Sequence, residues 1–403
     1  MTQTAPNRES SRPIRVCMVS FYYDPNYSGS AIQAGNLSRY LKRRGVQPFV
    51  VSARLDSRVA HEEIDGIPVY RIPVLQSGNL QIPFFWLGLA WFLWRKRRDY
   101  DIVHAHGTLQ HGTASIMARL LGKGSILKVA MHRSDIAFRR QGKIWGRINR
   151  FYVRRFHRYI ATSRQIHLEF EEEGMESERI VRIPNGVDTE KFRPAEDRDE
   201  KVALKAALGL PPVPLALFTG IVIARKNVDF VIRVFLEIRK AGIPGHLVVV
   251  GPGEGRSGKP EGPYFDSLQV MIREAGAEAD VTFTGRRPDV QDYVRASDLF
   301  LFAPRKEGMP NVLLEAMAGG VPCVVSRISG IEDVIESGVN GYVYDLDEED
   351  RFRQAAADLM QDGELRARIG EKATRDIRNR YSLDAVADRY VALYNSLLNT
   401  PPA

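Results

Sequence analysis

The chain has 403 residues, too long for one domain of common size and suited to two, each able to bury its own core. No run approaches the roughly 20 apolar residues of a spanning helix, and the polar start "MTQTAPNRESSRP" does not read as a signal peptide, so a cytoplasmic protein is expected. The net charge of +8 is unevenly held: residues 1–193 carry 31 Lys plus Arg against 17 Asp plus Glu, the remainder 26 against 32, so the first half is the basic partner.

Residues 1–13 are expected to be disordered. From residue 14 to 194, strands are predicted at "VCMVSF", "PFVVSA", "DIVHAHG", "ILKVAM", "RYIATS" and "IVRIPNG", with helical patterns between them. The turn "YSGSA" leads from the first strand to a helix near Ala31; glycine at 29, followed by Ser30, lets backbone approach a ligand, and a helix start favours negative charge. Cys17, in the first strand, and Cys323, in a later one, are expected as small core residues and not as a disulfide.

"IPFFWLGLAWFLWRKRR", Ile82 to Arg98, is apolar, too short to cross a bilayer, and ends in four consecutive cations. Farther on, "FRRQGKIWGRINRFYVRRFHR", Phe138 to Arg158, sets aromatic rings among arginines. Trp86, Trp91, Trp94, Arg95, Arg139, Arg140 and Arg147 are therefore expected to form an acceptor or membrane surface, rings at headgroup level and cations over anionic lipid. Helices of a globular fold also need a buried face, which is the competing reading of both segments. Nucleic acid is not expected as a partner, since no groove-reading helix or stacking sheet is visible. Between the two segments, His104 and His106 share a strand face and His111 follows, but no third ligand at fixed spacing appears, and no metal is expected.

"RPAEDRDEK", Arg193 to Lys201, is charged and apolar-poor and reads as a linker. The second block, residues 195–382, has strands at "LALFTG", "HLVVVGPG", "VTFTG", "DLFLFAP", "PCVVS" and "GYVYD". Such alternation implies an α/β protein of parallel sheets covered by helices on both faces, with ligands gathered at strand carboxyl ends. A last helix, about Leu383 to Leu398, is expected to fold back with residues 383–403 on the first domain.

The most informative segment is "FLFAPRKEGMPNVLLEAMAGGVPCVVS", Phe300 to Ser326. A buried strand runs into a loop carrying Glu307, Gly308 and Met309, and Pro310 is placed at the first helical position. The N–H groups of Asn311, Val312 and Leu313 are then open to an anion. Glu315, one turn later, can accept from a vicinal diol such as ribose, and Glu307 can hold hydroxyls of a second sugar. By spacing alone, a loop charge and a helix charge are the competing reading.

"EGMPNVLLEAMAGGVP" resembles the Glu-x7-Glu signature of retaining family 4 glycosyltransferases, with Glu307 and Glu315 in the acidic places and Pro304 where a serine often stands. "RIPNGVDTEKFRP", "VTFTGRRPDVQDYVRASDLFL" and "ISGIEDVIESGVNGYVYDLDEED" extend the resemblance along most of the chain. It implies the GT-B fold: two Rossmann-like doubly wound parallel-sheet domains facing a central cleft, the first binding the acceptor, the second a nucleoside-diphosphate sugar. It implies Lys226 at the donor diphosphate. The family's arginine place is Ile221 here, and the neighbouring Arg225 is a candidate for the missing charge. "HRSD" resembles a family "H-G-x-D", whose histidine, His132 here, lies against the donor sugar; Arg133 replaces the glycine, and Asp135 keeps the acidic place. A metal-independent hexosyl transfer in polysaccharide or glycolipid assembly is implied, to a hydroxyl acceptor that a lipid can carry, with no cofactor. A sugar-nucleotide 2-epimerase and a non-catalytic scaffold subunit are the alternatives.

Overall fold

The computed structural model describes residues 12–25, 28–55, 59–75, 80–107, 112–129, 131–133, 135–138, 143–253 and 259–399. Two compact units divide the chain. One holds residues 1–161, 167–183 and 387–403; the other holds residues 162–166 and 184–386.

The first unit is built on an eight-stranded sheet. Its strands are β1 (Arg15–Val19), β2 (Gln47–Arg54), β3 (His61–Ile64), β4 (Ile67–Pro73), β5 (Ile102–His106), β6 (Gly124–Val129), β7 (Arg158–Ala161) and β8 (Ile180–Arg182), in the order β3-β4-β2-β1-β5-β6-β7-β8. All neighbours are parallel except the hairpin β3–β4. The hairpin has no counterpart among the predicted strands, although "DG" announces it: Asp65 and Gly66 both take positive φ, 50° and 74°, as a tight two-residue turn requires. Four helices of this unit are α1 (Gly29–Arg43), α2 (Gln81–Arg95), α3 (Gly112–Leu120) and α4 (Lys143–Val153), followed by α5 (Arg164–Glu172). β1 and β5 are buried along almost their whole length, as parallel strands covered on both faces must be.

The second unit carries six parallel strands, β9 (Leu215–Thr219), β10 (His246–Val250), β11 (Val281–Gly285), β12 (Leu299–Phe302), β13 (Cys323–Ser326) and β14 (Tyr342–Tyr344), in the order β11-β10-β9-β12-β13-β14. Strand order reverses direction between β9 and β12, so helices leave those two strands to opposite sides and a crevice opens at their carboxyl ends. The helices are α6 (Arg198–Ala207), α7 (Val228–Lys240), α8 (Pro263–Glu274), α9 (Val290–Ala296), α10 (Asn311–Ala318), α11 (Glu349–Gln361) and α12 (Gly363–Arg380). Apolar side chains of β9, β10, β12 and β13 interleave with those of α7 and α10 in one core.

The chain crosses to the second unit earlier than the linker composition suggests. Residues 184–194 group with the second unit, where Asn185 is tied to the loop before α10, and the presumed linker is helical from Arg198. Asp197 caps that helix by accepting from Glu200 N at 2.8 Å. The last helix, α13 (Leu383–Asn399), groups from Ala387 onward with the first unit. There Tyr394 Oη lies 2.9 Å from His104 Nδ1, and Tyr390 and Tyr394 are fully buried.

Candidate functional site

The crevice beyond β9 and β12 is shaped by glycines. Gly220 (φ 142°) ends β9, and Gly251 (φ 151°) ends β10; a Cβ on Gly251 would stand 1.9 Å from the Gly220 carbonyl oxygen. Only glycine permits this approach. After the turn, Ala224–Lys226 forms a single 3-10 turn closed by Asn227 in the left-handed region (φ 57°), where asparagine is one of the few side chains tolerated. Asn227 Nδ2 donates to the Ala303 carbonyl at 2.9 Å and its Oδ1 accepts from Arg305 Nε at 3.2 Å, while Arg305 N donates to the Arg225 carbonyl at 3.0 Å. The loop after β9 is thereby fastened to the loop after β12.

That fastening brings three charges together. Lys226 Nζ lies 2.8 Å from Glu307 Oε1, Arg225 Nη1 donates to the same oxygen, and Arg225 Nη1 also donates to the Lys306 carbonyl at 2.9 Å. The lysine ammonium sits 5.1 Å from the Phe302 ring. Burial pulls the Lys226 pKa below its ordinary value, with the Glu307 carboxylate acting against the fall. Two cations on one carboxylate oxygen form a local surplus of positive charge, suited to an anion with hydroxyls beside it.

α10 supplies the other wall. Pro310 is its N-cap, outside the helix in extended geometry (φ −72°, ψ 122°), and not the first helical residue as expected. Proline cannot donate from that place, and the Leu313 N–H already donates to the Pro310 carbonyl at 3.3 Å, so fewer N–H groups are open than the sequence implied. Gly308 and Met309 are held from two sides: the Gly330 backbone packs on the Gly308 carbonyl, and Asn185 Nδ2 donates to the Met309 carbonyl at 2.9 Å and to Asn311 Oδ1 at 3.0 Å. Val312 follows, partly exposed. Among the described residues no donor lies within hydrogen-bond distance of the Glu315 carboxylate. Burial pushes its pKa up to about 7, and the Lys191 ammonium acts against that rise.

In the first unit, Gly29 and Ser30 are the opening residues of α1 and not a turn before it. Ser28 is the N-cap, accepting from Ala31 N at 3.1 Å and lying 3.0 Å from Ser30 Oγ. His132 is partly exposed with Nε2 4.0 Å from Glu169 Oε2; Arg133 (φ 53°) donates its N–H to the same oxygen at 2.9 Å, and Asp135 accepts from Met131 N at 3.0 Å. His104 and His106 stack at 4.4 Å in the core instead of facing solvent, and burial holds His104 down to about 3. Among the described residues no three His, Cys, Asp or Glu side chains form a metal-holding group. Both cysteines are free and buried.

The expected surface residues divide. Trp91, Trp94, Arg95 and Arg147 are exposed. Trp86 is only partly exposed: its ring meets Tyr152 at 5.0 Å, and its carbonyl accepts from Thr113 Oγ1 at 3.1 Å. The helical period puts Trp86 off the Trp91–Trp94 face, a signal already present in the sequence. Arg139, Arg140 and His111 lie outside the described residues. Sequence reading overlooked Asn185, Lys191 and Asn227; "IPNG" contained the first, but nothing local tells that its amide reaches a loop over 120 positions away. No helix is long and apolar enough to cross a membrane among the described residues.

The family model "Glycosyl transferases group 1" matches residues 203–376, and the model "Glycosyltransferase Family 4" matches residues 27–191. The chain is 24% identical over 382 residues to N-acetyl-alpha-D-glucosaminyl L-malate synthase of Bacillus anthracis, covering 93% of this chain and 95% of that protein. Among solved structures, sucrose-phosphate synthase from Thermosynechococcus elongatus superposes with a TM-score of 0.80 at 18% identity, over 95% of this chain and 99% of the other. Anabaena Alr3699/HepE in complex with UDP and glucose superposes with a TM-score of 0.76 at 19% identity, over 95% and 100%.

Proposed function

From the premise that the chain belongs to the group 1, family 4 glycosyltransferases of GT-B fold, we propose that it moves a sugar from a nucleoside-diphosphate donor to an acceptor hydroxyl with retention at the anomeric carbon. The observation that carries this reading is the pair of cations, Lys226 and Arg225, on Glu307 in the loop between β12 and α10, the helix that carries Glu315, whose carboxylate has no hydrogen-bond donor among the described residues. UDP and glucose in the complex of the similarly folded HepE support a donor of that chemical class.

In this reading Lys226 and Arg225 meet the diphosphate and exchange part of their contact with Glu307 for phosphate oxygens. Released from one cation or both, Glu307 accepts hydroxyls of the sugar. Gly308, Met309 and Pro310 place backbone beside the sugar and phosphates, Asn311 and Val312 start the helix whose positive end faces the anion, and Glu315 accepts from the ribose diol. As the bond to the leaving phosphate breaks, the charge that develops there is held by preorganised cations, without a metal or cofactor in the scheme. The acceptor's own hydroxyl is the nucleophile, and the leaving phosphate takes its proton. The basic first unit is the acceptor side, and a lipid-linked acceptor at an anionic membrane surface, in polysaccharide or glycolipid assembly, fits its charge.

Thermal melting across UDP, GDP, ADP and their sugar conjugates tests the donor assignment, because a ligand that binds only the folded state raises the melting temperature. One diphosphate is expected to give a selective rise that Glu315→Ala removes. No rise with any of them overturns the transferase reading in favour of a scaffold.

A further inference from the structure

α2 is apolar on two sides. Its inner face is packed: Phe85, Leu89 and Leu93 are fully buried, Phe85 meets Phe21 edge-on at 5.1 Å, and a Cβ on Gly88 would stand 2.4 Å from Ile72 Cγ2. Its outer face repeats Leu80, Phe84, Leu87, Trp91 and Trp94 at alternate spacings of four and three, one stripe along the helix, every member between 43% and 70% exposed. Trp91 and Trp94 stack at 5.3 Å, and the Arg97 guanidinium sits 5.1 Å over Trp94. A solvated helix face ordinarily carries charge, and a contiguous apolar stripe of this size marks a partner.

We infer that this stripe is the element by which the chain docks on a bilayer, with α2 lying in the plane of the interface, its rings at the headgroup boundary and Arg95, Arg97 and Arg98 on anionic headgroups. The inference rests on the membrane-surface part of the reading above and names its element. Fifteen residues at about 1.5 Å each span roughly 22 Å, short of the ~30 Å hydrocarbon core, so the helix lies flat. Charge selects lipid over a second copy. A four-three stripe also suits helix pairing, but no carboxylate occurs from Leu80 to Arg98. A second α2 carries no carboxylate of its own, and the next one along the chain, Asp99, is already paired with Lys96 at 2.9 Å. Anionic lipid brings a counter-charge to the three arginines.

The test uses the full chain and vesicles of phosphatidylcholine containing about 30% phosphatidylglycerol, at low and high salt. The wild-type protein is expected to float with these vesicles, and brominated acyl chains are expected to quench its tryptophan emission. Leu87→Ser, Trp91→Ser and Trp94→Ser together are expected to lower partition at least about tenfold, with melting temperature and diphosphate-induced shift retained. Arg95→Gln with Arg98→Gln, both exposed positions, is expected to lower partition on anionic vesicles alone and to blunt the salt dependence. Flotation of the serine variant equal to wild type overturns the α2 assignment while leaving the membrane reading standing. A wild type that binds no vesicle overturns both without touching donor binding. A wild-type dimer in light scattering that the serine variant converts to monomer gives the stripe to a second copy and overturns the proposal.

Discussion

Glu307 is the residue on which the second unit's charges converge, and its substitution separates two effects. Glu307→Ala removes the group proposed to hold the sugar and also frees Lys226 and Arg225, which both bind its Oε1. Turnover is expected to fall by about 100-fold or more, in the range seen when a preorganised transition-state contact is lost. The bare nucleoside diphosphate is expected to bind at least as tightly as before, since two cations no longer share a carboxylate. Steady-state rates and calorimetric titration of the diphosphate check the two halves; unchanged turnover would sink the assignment. Lys128, on β6, is a different case. It is buried in the first unit 5.8 Å from the Tyr390 ring, and burial pushes its pKa from the ordinary 10.5 down to about 7. Between those values the unfolded chain holds the proton and the folded chain does not, so stability rises with pH through that window, by up to about 1.4 kcal/mol per pH unit. Below pH 7 both states are protonated and the folded state carries the full penalty of a buried ammonium. Melting at pH 7.5 and 9.5 is expected to show the rise in the first unit's transition, and Lys128→Met to flatten it and raise the melting point at the lower pH.

At the scale of elements, loops are held by side chains whose partners are far along the chain. Asn185→Ala strips the Met309 carbonyl of its 2.9 Å donor and frees the start of α10. A buried carbonyl left unpaired costs about 1–3 kcal/mol, so the variant is expected to melt lower and to bind diphosphate more weakly. Melting with and without nucleotide separates these. Gly251→Ala drives a methyl into the Gly220 carbonyl and is expected to fail in folding or to melt far lower, with no compensating rotamer available. How far the sequence carried the reading follows the same division. The strands β9 to β14 were legible because each is a short apolar run bounded by turn residues, and "EGMPNVLLE" was legible because loop, proline and helix start follow one another without a gap. Asn185 and Asn227 were not, because their work depends on tertiary contacts with residues 76 to 126 positions away. The β3–β4 hairpin was overlooked although Asp65-Gly66 marks its turn. Pro310 was misplaced by one position, the usual margin for a helix end read from sequence.

At the scale of the whole molecule, the first unit is discontinuous in sequence. Its sheet is covered in part by residues 387–399 of α13, which bring Tyr390 and Tyr394 over His104 and Lys128, place Leu397 against Gly124, and pair Asp388 with Arg44. A fragment ending at Ile183 therefore exposes His104, His106 and Lys128 on a face with no cover. It is expected to be protease-sensitive and to melt broadly, and a peptide of residues 383–399 added in trans is expected to restore protection, as limited digestion would show. Basic surplus in the first half and acidic surplus in the second were readable from composition, but this dependence on the chain's last helix was not, since the residues it covers lie on β5 and β6, more than 250 positions earlier.

Cys17 and Cys323 offer a practical handle. One lies in each unit, both are fully buried, and burial raises both thiols far above the range in which they react. The native chain is thus nearly silent toward maleimides, and a single cysteine introduced on the surface becomes the site that labels. At Leu87 such a cysteine could carry an environment-sensitive dye on the outer stripe of α2, and a second at Lys240, on α7, could report on the other unit, without any native thiol having to be removed.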